Sequence, residues 1–324
     1  MSEKGKSLHQ PVMVKEVLKL LPLEEEREGL FIDATTSTGG HASEIARRLG
    51  EKGELIGLDL DLEALQVARE RLEEIGANFR LYNINFSRLE ELVEVEDLPA
   101  PVGLLFDLGL SSRQLDDPER GFSFQREGPL DMRMDREGYR KASEIVNESD
   151  KEELTRIIRS YGEERWAPRI AEAIVRKREV DGPLEKTTEL AELVEGAIPD
   201  RYTYRMKRHP ATKTFQAIRI AVNEELSNLE AGLQGGFNVL APGGVMALLS
   251  YHSLEDRRVK GFFREKQADC VCPPDLPVCR CDKRQEMELL TDGALRPSEE
   301  EVRRNPRSRS ARLRAARKVV GDRE

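Results

Sequence analysis

A glycine turn and two acidic residues stand directly after apolar runs in the first third of the chain. The turn Gly39-Gly40-His41 follows the first run, and Asp59 and Asp107 end two later runs. Glycine lets the backbone approach a ligand closely, and the N–H groups at the start of a helix are free to bind it. A carboxylate at the end of a strand can accept hydrogen bonds from the hydroxyls of a ribose. Together these features predict a site for a nucleotide-like cofactor.

The spacing of the glycines separates two candidate cofactors. A nicotinamide dinucleotide is typically bound by the pattern G-x-G-x-x-G, which the stretch 37–42 does not supply. S-adenosylmethionine has no pyrophosphate, and needs a close backbone approach, an acid for its ribose and a wall for its adenine. Phe86 follows the third apolar run, where it can stack on a base. We therefore favour S-adenosylmethionine and keep a nicotinamide-dependent oxidoreductase as an alternative.

A parallel sheet is needed to bring these residues together. Apolar runs alternate with stretches of helical periodicity, which predicts a doubly wound α/β sheet that binds ligands at the carboxyl ends of its strands. One long helix is predicted from about Thr212 to Leu233, before the last strand. The predicted strands are 29–34, 54–59, 79–84, 102–107 and 245–250.

The middle of the chain has a different pattern. The stretch 111–209 shows helical periods without a convincing strand, so it is interpreted as an all-helical insertion that recognises the substrate. The flanking stretches, 1–110 and 210–324, then form one cofactor-binding domain. Phe122 and Phe124 in the insertion either stack on a nucleic-acid base or belong to the core.

Short motifs follow one another in a fixed order along nearly the whole chain. They are HQPV at 9–12, GGH at 39–41, DLG at 107–109, QLDD at 114–117, RGFSF at 120–124, GPLDMRM at 128–134, YGEE at 161–164, HPAT at 209–212, HSLEDR at 252–257 and NPR at 305–307. Their order and content resemble the RsmH (MraW) family. The resemblance implies a class I methyltransferase (Rossmann-like) fold with an inserted helical domain. It also implies that S-adenosylmethionine methylates N4 of a cytidine in the decoding centre of 16S rRNA, in the small ribosomal subunit.

The resemblance also implies site residues, position by position. The cofactor contacts that it implies are Gly39, Gly40, His41, Asp59, Phe86, Asp107 and Gln114. The sequence departs from the family pattern at Ser37, where glycine is usual, at Val102, where aspartate is usual, and at Tyr251, where phenylalanine is usual. Ser37 bears on the cofactor, because a side chain there needs a compatible φ angle and glycine would not.

The implied reaction can be matched to the residues present. The lone pair of a cytosine amino nitrogen is delocalised into the ring, so its attack on a sulfonium methyl group needs an acceptor for the amino hydrogen. Asp107 is the predicted acceptor, and His252, with Tyr251, is predicted to position the base. Methylation at carbon 5 would need a cysteine near the sheet, and all four cysteines lie within 270–281. An inactive methyltransferase fold that binds the ribosome is a further alternative.

The cysteines form a cluster of their own, made of Cys270, Cys272, Cys279 and Cys281. Four neighbouring thiols suit a structural zinc ion, but zinc sites usually separate paired cysteines by two to four residues rather than one. Unbound thiols and disulfides therefore stand beside zinc as interpretations. The lack of cysteine in the rest of the sequence is expected in a reducing compartment.

The net charge of −9 is unevenly distributed along the chain. Arginines crowd the stretch 303–318, and either bind RNA phosphate or are simply solvated. The same choice applies to a second basic cluster, which surrounds His209 and consists of Arg201, Arg205, Lys207, Arg208 and Lys213. No apolar run approaches the roughly 20 residues of a membrane span, so we expect a cytoplasmic protein without membrane contact. Monomer and homodimer are both left open.

Overall fold

The computed structural model describes residues 11–23, 27–138, 140–204, 208–272 and 280–320. Five residues singled out above lie outside these ranges, namely His9, Gln10, Arg205, Lys207 and Cys279. The chain divides into two compact units. The first unit consists of Met1–Gly109 with Ser227–Glu324, and the second unit is Leu110–Leu226.

The first unit is built on a seven-stranded sheet. Its strands are β1 (Arg27–Asp33), β2 (Leu49–Asp59), β3 (Phe79–Asn83), β4 (Gly103–Asp107), β5 (Val245–Ser250), β6 (Met287–Leu289) and β7 (Arg312–Lys318). Their order in the sheet is β3-β2-β1-β4-β5-β7-β6, in which the first five are parallel and β7 is antiparallel to both of its neighbours. The five predicted strands and the doubly wound α/β fold are confirmed.

Strands β6 and β7 extend the sheet beyond the strands that the sequence predicts. In β7, arginines alternate with apolar residues, so Leu313 and Ala315 are buried while Arg312 and Arg314 are half-buried. This alternation has the period of two that a strand requires. The density of arginine hides that period, and a stretch that looks like a basic tail is an internal strand.

Helices cover both faces of this sheet. Two successive residues of β4 show the two faces, because Phe106 packs in a core with Leu233 and Leu105 packs in another core with Phe31. Burial on both faces is typical of parallel sheets flanked by helices. Numbered through the whole chain, the helices here are α1 (Val14–Leu20), α2 (Gly40–Ala46), α3 (Leu62–Glu74), α4 (Leu89–Val95), α12 (Glu225–Val239), α13 (Ser253–Gln267) and α14 (Glu299–Arg304).

The second unit is built from helices joined by irregular segments, of which 121–138 is one, and it has isolated bridge pairing at Pro129. Its helices are α5 (Ser112–Asp116), α6 (Ala142–Glu148), α7 (Lys151–Gly162), α8 (Ala167–Asp181), α9 (Thr187–Ala197), α10 (Asp200–Thr203) and α11 (Thr212–Val222). Phe122 is buried in their shared core, and the ring of Phe124 lies 4.8 Å from that of Phe215. Both phenylalanines therefore belong to the packing of this unit. Across the described ranges, no helix has the length and apolar character needed to cross a bilayer.

The prediction of one helix from Thr212 to Leu233 is wrong. Helix α11 ends at Val222 and α12 begins at Glu225. Between them, Glu224 has a φ of 49°, in the left-handed region. A right-handed helix cannot continue through a residue in this conformation. Such positions are usually glycine or asparagine, so a glutamate at this point does not indicate the end of a helix.

Candidate active site

The glycine turn joins β1 to α2 in a closely packed conformation. Gly39 has a φ of 80°, and a Cβ atom on it would lie 3.1 Å from Cα of Ala68. A Cβ atom on Gly40 would lie 3.1 Å from Cβ of Pro11. A side chain at either position would therefore displace its neighbours, and at Gly39 it would also strain the backbone. The turn packs this closely against Ala68 and Pro11 because both residues are glycine.

Ser37 takes the conformation that its place in this turn demands. Its φ is 49°, within the left-handed region that favours glycine. Its backbone N–H donates a 2.7 Å hydrogen bond to Oδ2 of Asp59. Serine thus occupies a glycine-like position and still connects the turn to the end of β2.

Asp59 stands at the carboxyl end of β2 and accepts two backbone hydrogen bonds. Oδ2 accepts from Ser37, and Oδ1 accepts from the N–H of Asp61 at 2.8 Å. Each carboxylate oxygen has a second lone pair, so both can still accept a hydrogen bond from a hydroxyl group. Burial raises the pKa of Asp59 to about 6.

Asp107, at the carboxyl end of β4, is held by two side chains. The hydroxyl of Tyr251 donates a 2.6 Å hydrogen bond to Oδ1, and Nδ1 of His41 lies 3.3 Å from Oδ2. The backbone N–H of Asp107 donates to Oγ1 of Thr35 at 2.6 Å. Tyr251 comes directly after β5, the neighbouring strand, so sheet pairing brings the two side chains together. This arrangement fixes a partly exposed carboxylate at the carboxyl end of the central strand β4.

His41 links this carboxylate to the N-terminal segment. Its Nε2 lies 2.9 Å from the carbonyl oxygen of Val12, which can only accept a hydrogen bond. Nδ1 faces Asp107, so the ring satisfies both acceptors best when both nitrogens carry hydrogen. Burial lowers the pKa of His41, but the contact with Asp107 outweighs it, and the net shift is upward. The pair therefore favours an imidazolium beside a carboxylate.

Asp33 is a third acid at the carboxyl ends of the strands, and it is not among the site residues that the sequence predicts. It ends β1, as Asp59 and Asp107 end their strands, and that shared position was the available signal. It is only 1% exposed, and burial raises its pKa to about 7. Asp33 also interacts electrostatically with His41, Asp107 and Asp59. Three carboxyl groups therefore surround the glycine turn.

Phe86 and Gln114 occupy different surroundings. The ring of Phe86, in the turn after β3, packs edge-on against Phe106 with centroids 5.7 Å apart, and α12 approaches it closely at Gly232. Gln114 lies in the second unit, where it is buried and forms a capping box with Ser111 at the start of α5. Their predicted contacts with the cofactor stay predictions.

His252 caps the helix that follows β5. Its Nδ1 accepts from the backbone N–H of Glu255, while Nε2 lies 3.1 Å from Oε1 of Glu255 without forming a hydrogen bond to any described residue. The buried Glu255 also accepts from the backbone N–H groups of Tyr251 and His252, at 2.7 and 3.2 Å. Glu255 thus fixes the loop that carries Tyr251. Glu255 stands three residues after His252, which is the spacing of a capping box, so its role could have been predicted from the sequence.

The arginines near the C-terminus contact acidic residues of the first unit. Arg312 and Arg314 bind Asp256 at 2.6 and 2.8 Å. Burial opposes ionisation of Asp256, but the two arginines outweigh it and hold its pKa below the usual value. These two arginines are therefore not a solvated tail, because both pair with a buried carboxylate, whereas their contact with RNA phosphate stays a prediction.

A Rossmann-like sheet with a glycine turn and acids at the ends of β1, β2 and β4 defines an S-adenosylmethionine-dependent methyltransferase. A family model described as MraW methylase family matches residues 6–319. A relative from Symbiobacterium thermophilum, named ribosomal RNA small subunit methyltransferase H, is 48% identical over 316 residues and covers 98% of each chain. A relative of the same name from Halothermothrix orenii is 46% identical over 312 residues, covering 96% of this chain and 99% of its own.

The chain belongs to the MraW methylase family. This assignment removes the alternative of a nicotinamide-dependent oxidoreductase. Among solved structures, an rRNA methylase from Streptococcus thermophilus aligns with a TM-score of 0.38 and 12% identity, covering 95% of this chain and 94% of its own.

Proposed function

We propose that this protein transfers a methyl group from S-adenosylmethionine to N4 of a cytidine in small-subunit ribosomal RNA. The observation that carries the proposal is the carboxylate of Asp107, fixed at the end of β4 by Tyr251 and His41. Two relatives that match nearly the whole chain are named ribosomal RNA small subunit methyltransferase H, which supports the substrate.

The residues around the glycine turn fit this cofactor. S-adenosylmethionine supplies a methyl group on a positively charged sulfur atom. The left-handed glycine turn at Gly39 is of the kind that suits a close backbone approach, and the free lone pairs of Asp59 suit the two ribose hydroxyls. Asp107 adds a carboxylate that favours a cationic ligand. Phe86 and Gln114 are the remaining contacts that the family resemblance implies.

Asp107 is the residue to which we assign the chemistry. It accepts hydrogen bonds from Tyr251 and His41, and its remaining lone pairs can accept one from the amino group of cytosine. That hydrogen bond increases the electron density on N4 as the new carbon–nitrogen bond forms and the carbon–sulfur bond breaks. N4 then loses one proton to the carboxylate, and no covalent enzyme intermediate is needed. His252 caps α13 directly after Tyr251, and we assign it the positioning of the cytosine base.

An arginine and aromatic surface on the second unit supports an RNA substrate. The guanidinium of Arg165 lies 4.4 Å from the ring centroid of Tyr202 and 5.2 Å from that of Trp166. Arg201 stacks on Tyr202 at 4.9 Å, and Arg169 on Trp166 at 5.7 Å. The three arginines are exposed. Exposed arginines beside aromatic rings can bind phosphate and stack on unpaired bases, which is how single-stranded RNA is commonly held.

The product nucleoside tests the proposal. Small ribosomal subunits that lack the modification are incubated with the protein and labelled S-adenosylmethionine, and the RNA is digested to nucleosides. We expect the label in N4-methylcytidine. Label in 5-methylcytidine, or in a nucleoside other than cytidine, would overturn the assignment of N4, and the absence of label from all RNA would favour the inactive ribosome-binding alternative.

A further inference from the structure

Three cysteine sulfurs converge between α13 and β6, away from the residues assigned to the cofactor. Cys270 and Cys272 follow α13, and Cys281 precedes β6. Their Sγ atoms all lie within 4.8 Å of one another, and those of Cys270 and Cys281 are 3.8 Å apart. The three residues come from two described segments of irregular backbone.

The separation of the Cys270 and Cys281 sulfurs discriminates between a disulfide and a shared metal ion. A disulfide bond is about 2.05 Å long. Four thiolates at about 2.3 Å from a tetrahedral zinc ion lie about 3.8 Å from one another. The observed 3.8 Å matches the second geometry. The two sulfurs are therefore too far apart for a disulfide, and their separation is the one that a shared metal ion or a thiol–thiol hydrogen bond would give.

Backbone N–H groups point at all three sulfurs, which is an independent observation. The N–H of Val271 donates to Cys281, that of Cys272 donates to Cys270, and that of Arg280 donates to Cys272, each at 3.4 Å. Hydrogen bonds to sulfur orient it, as groups around metal ligands do.

We propose that Cys270, Cys272 and Cys281 bind a structural divalent metal ion of the zinc class through their three sulfur atoms. The fourth cysteine, Cys279, lies outside the described residues. The ion would join the end of α13 to the segment that leads into β6, at the edge of the sheet. The site is independent of the proposed methyl transfer, since it includes none of the residues assigned to that reaction.

The protein itself offers a clean spectroscopic test, because its four cysteines are all in this cluster. The full chain is purified under reducing conditions and its zinc content measured. It is then reconstituted with Co²⁺ alone, whose thiolate charge-transfer and tetrahedral absorption bands can come only from these cysteines. We expect one metal ion per chain and strong bands, which Cys281→Ser weakens and shifts.

Two further variants test the ligand set and the structural role. Cys272→Ser should weaken and shift the bands as Cys281→Ser does, and unchanged bands would overturn Cys272 as a ligand. A chelator should lower the melting temperature of the unaltered protein by several degrees but leave that of a Cys270→Ser/Cys281→Ser variant unchanged. Metal-free protein that takes up no Co²⁺, whether its thiols are unbound or paired as disulfides, would overturn the site, and this outcome has no bearing on whether RNA is methylated.

Discussion

At the scale of single residues, the centre of the account is the carboxylate of Asp107 and its two partners. His41 and Tyr251 come from the two different sequence segments that make up the first unit, and each contacts a different oxygen of Asp107. Burial, followed by the charge of Asp107, raises the pKa of Tyr251 well above its usual value. The phenol therefore stays neutral and donates its hydrogen. Asp107 is consequently fixed as an acceptor.

Replacing Tyr251 with phenylalanine should show how far the Tyr251 hydroxyl stabilises the fold and how far it affects the rate of methyl transfer. We expect Tyr251→Phe to lower the free energy of unfolding by about 1.5–3 kcal/mol, the usual contribution of a hydrogen bond to a charged group. Methyl transfer should fall by less than about tenfold, because Asp107 remains and a change of about 1.4 kcal/mol in the barrier is a factor of ten. Denaturant unfolding and initial rates measure the two effects.

The matched control for Tyr251→Phe is Tyr82→Phe. The hydroxyl of Tyr82 also donates to a carboxylate, that of Glu96 at 2.8 Å, but on the surface. A surface bond of this kind contributes little, so this variant should be nearly as stable as the unaltered protein. Equal stability of the two variants would contradict a stabilising role for the Tyr251 hydroxyl.

Asp33 gives a dependence of stability on pH whose sign can be worked out. Burial raises its folded pKa to about 7 from an ordinary value of 3.8. At pH values between 3.8 and about 7, Asp33 binds more protons in the folded protein than in the unfolded chain. This group therefore lowers the free energy of unfolding as pH rises through that range. Asp33→Asn removes the effect. We expect the stability of Asp33→Asn relative to the unaltered protein to be greater at pH 8 than at pH 5, by at most about 1.4 kcal/mol per pKa unit.

Asp131 supplies the control for this pH dependence. Burial opposes its ionisation, but contacts with Arg133 outweigh that effect, and its pKa lies below the usual value. Its stabilising contribution is complete above the ordinary pKa of an aspartate and is lost only in acid. Asp131→Asn should therefore be destabilising by the same amount at pH 5 and pH 8. If Asp33→Asn behaved in that way too, the raised pKa of Asp33 would be refuted.

At the scale of elements, close approach between α12 and the turn after β3 sets the position of Phe86. A Cβ atom on Gly232 would lie 2.5 Å from Cδ2 of Phe86, so Gly232→Ala must displace the ring. We expect this variant to be less stable by about 1–3 kcal/mol, as overpacked cores are. It should also bind S-adenosylmethionine more weakly if Phe86 forms the wall for the adenine. Calorimetric titration with the cofactor measures that change.

Gly261 in α13 provides the matched helical control. No described atom lies within 4 Å of a Cβ atom placed there. Alanine is favoured over glycine inside a helix by roughly 0.5–1 kcal/mol, so Gly261→Ala should raise the melting temperature and leave cofactor affinity unchanged. Unchanged affinity in Gly232→Ala, together with a lowered melting temperature, would argue against Phe86 as a cofactor contact.

The elements differ in how well the sequence predicts them. Strands β1 to β5 are predictable because each is an apolar run, several of which end in a polar site residue. Strand β7 is not, since its arginines have internal partners such as Asp256, and these belong to a distant helix. The contact between Tyr251 and Asp107 is likewise hidden, because it depends on β4 and β5 being neighbours in the sheet. The acids and the glycine turn of the site can thus be predicted from local sequence pattern. The side chains that hold the acids in place cannot, because they come from segments distant in sequence.

At the scale of the whole molecule, the proposed division of labour assigns the cofactor to the first unit and RNA contacts to the second. Arg165 and Arg201 carry the positive charge beside Tyr202. Each contact with a phosphate changes the dependence of affinity on salt concentration by a predictable amount. The second unit can therefore be tested through RNA binding alone, without methyl transfer.

We expect Arg165→Ala and Arg201→Ala each to weaken binding to small ribosomal subunits and to reduce the slope of log affinity against log salt by about 1. The control is Arg156→Ala on α7, because Arg156 already pairs with Glu153 at 2.7 Å. That variant should leave the slope unchanged. Equal slopes for all three variants and the unaltered protein would contradict an RNA surface at Tyr202.

The most direct test of the central claim is transfer of labelled methyl groups to unmodified small ribosomal subunits by the unaltered protein and by Asp107→Ala. Calorimetric titration first establishes how much S-adenosylmethionine each protein binds, so that rates are compared at saturation. We expect label in N4-methylcytidine with the unaltered protein and a rate at least about 100-fold lower with Asp107→Ala, in the range of a lost proton acceptor. Undiminished transfer by a saturated Asp107→Ala variant would contradict that claim.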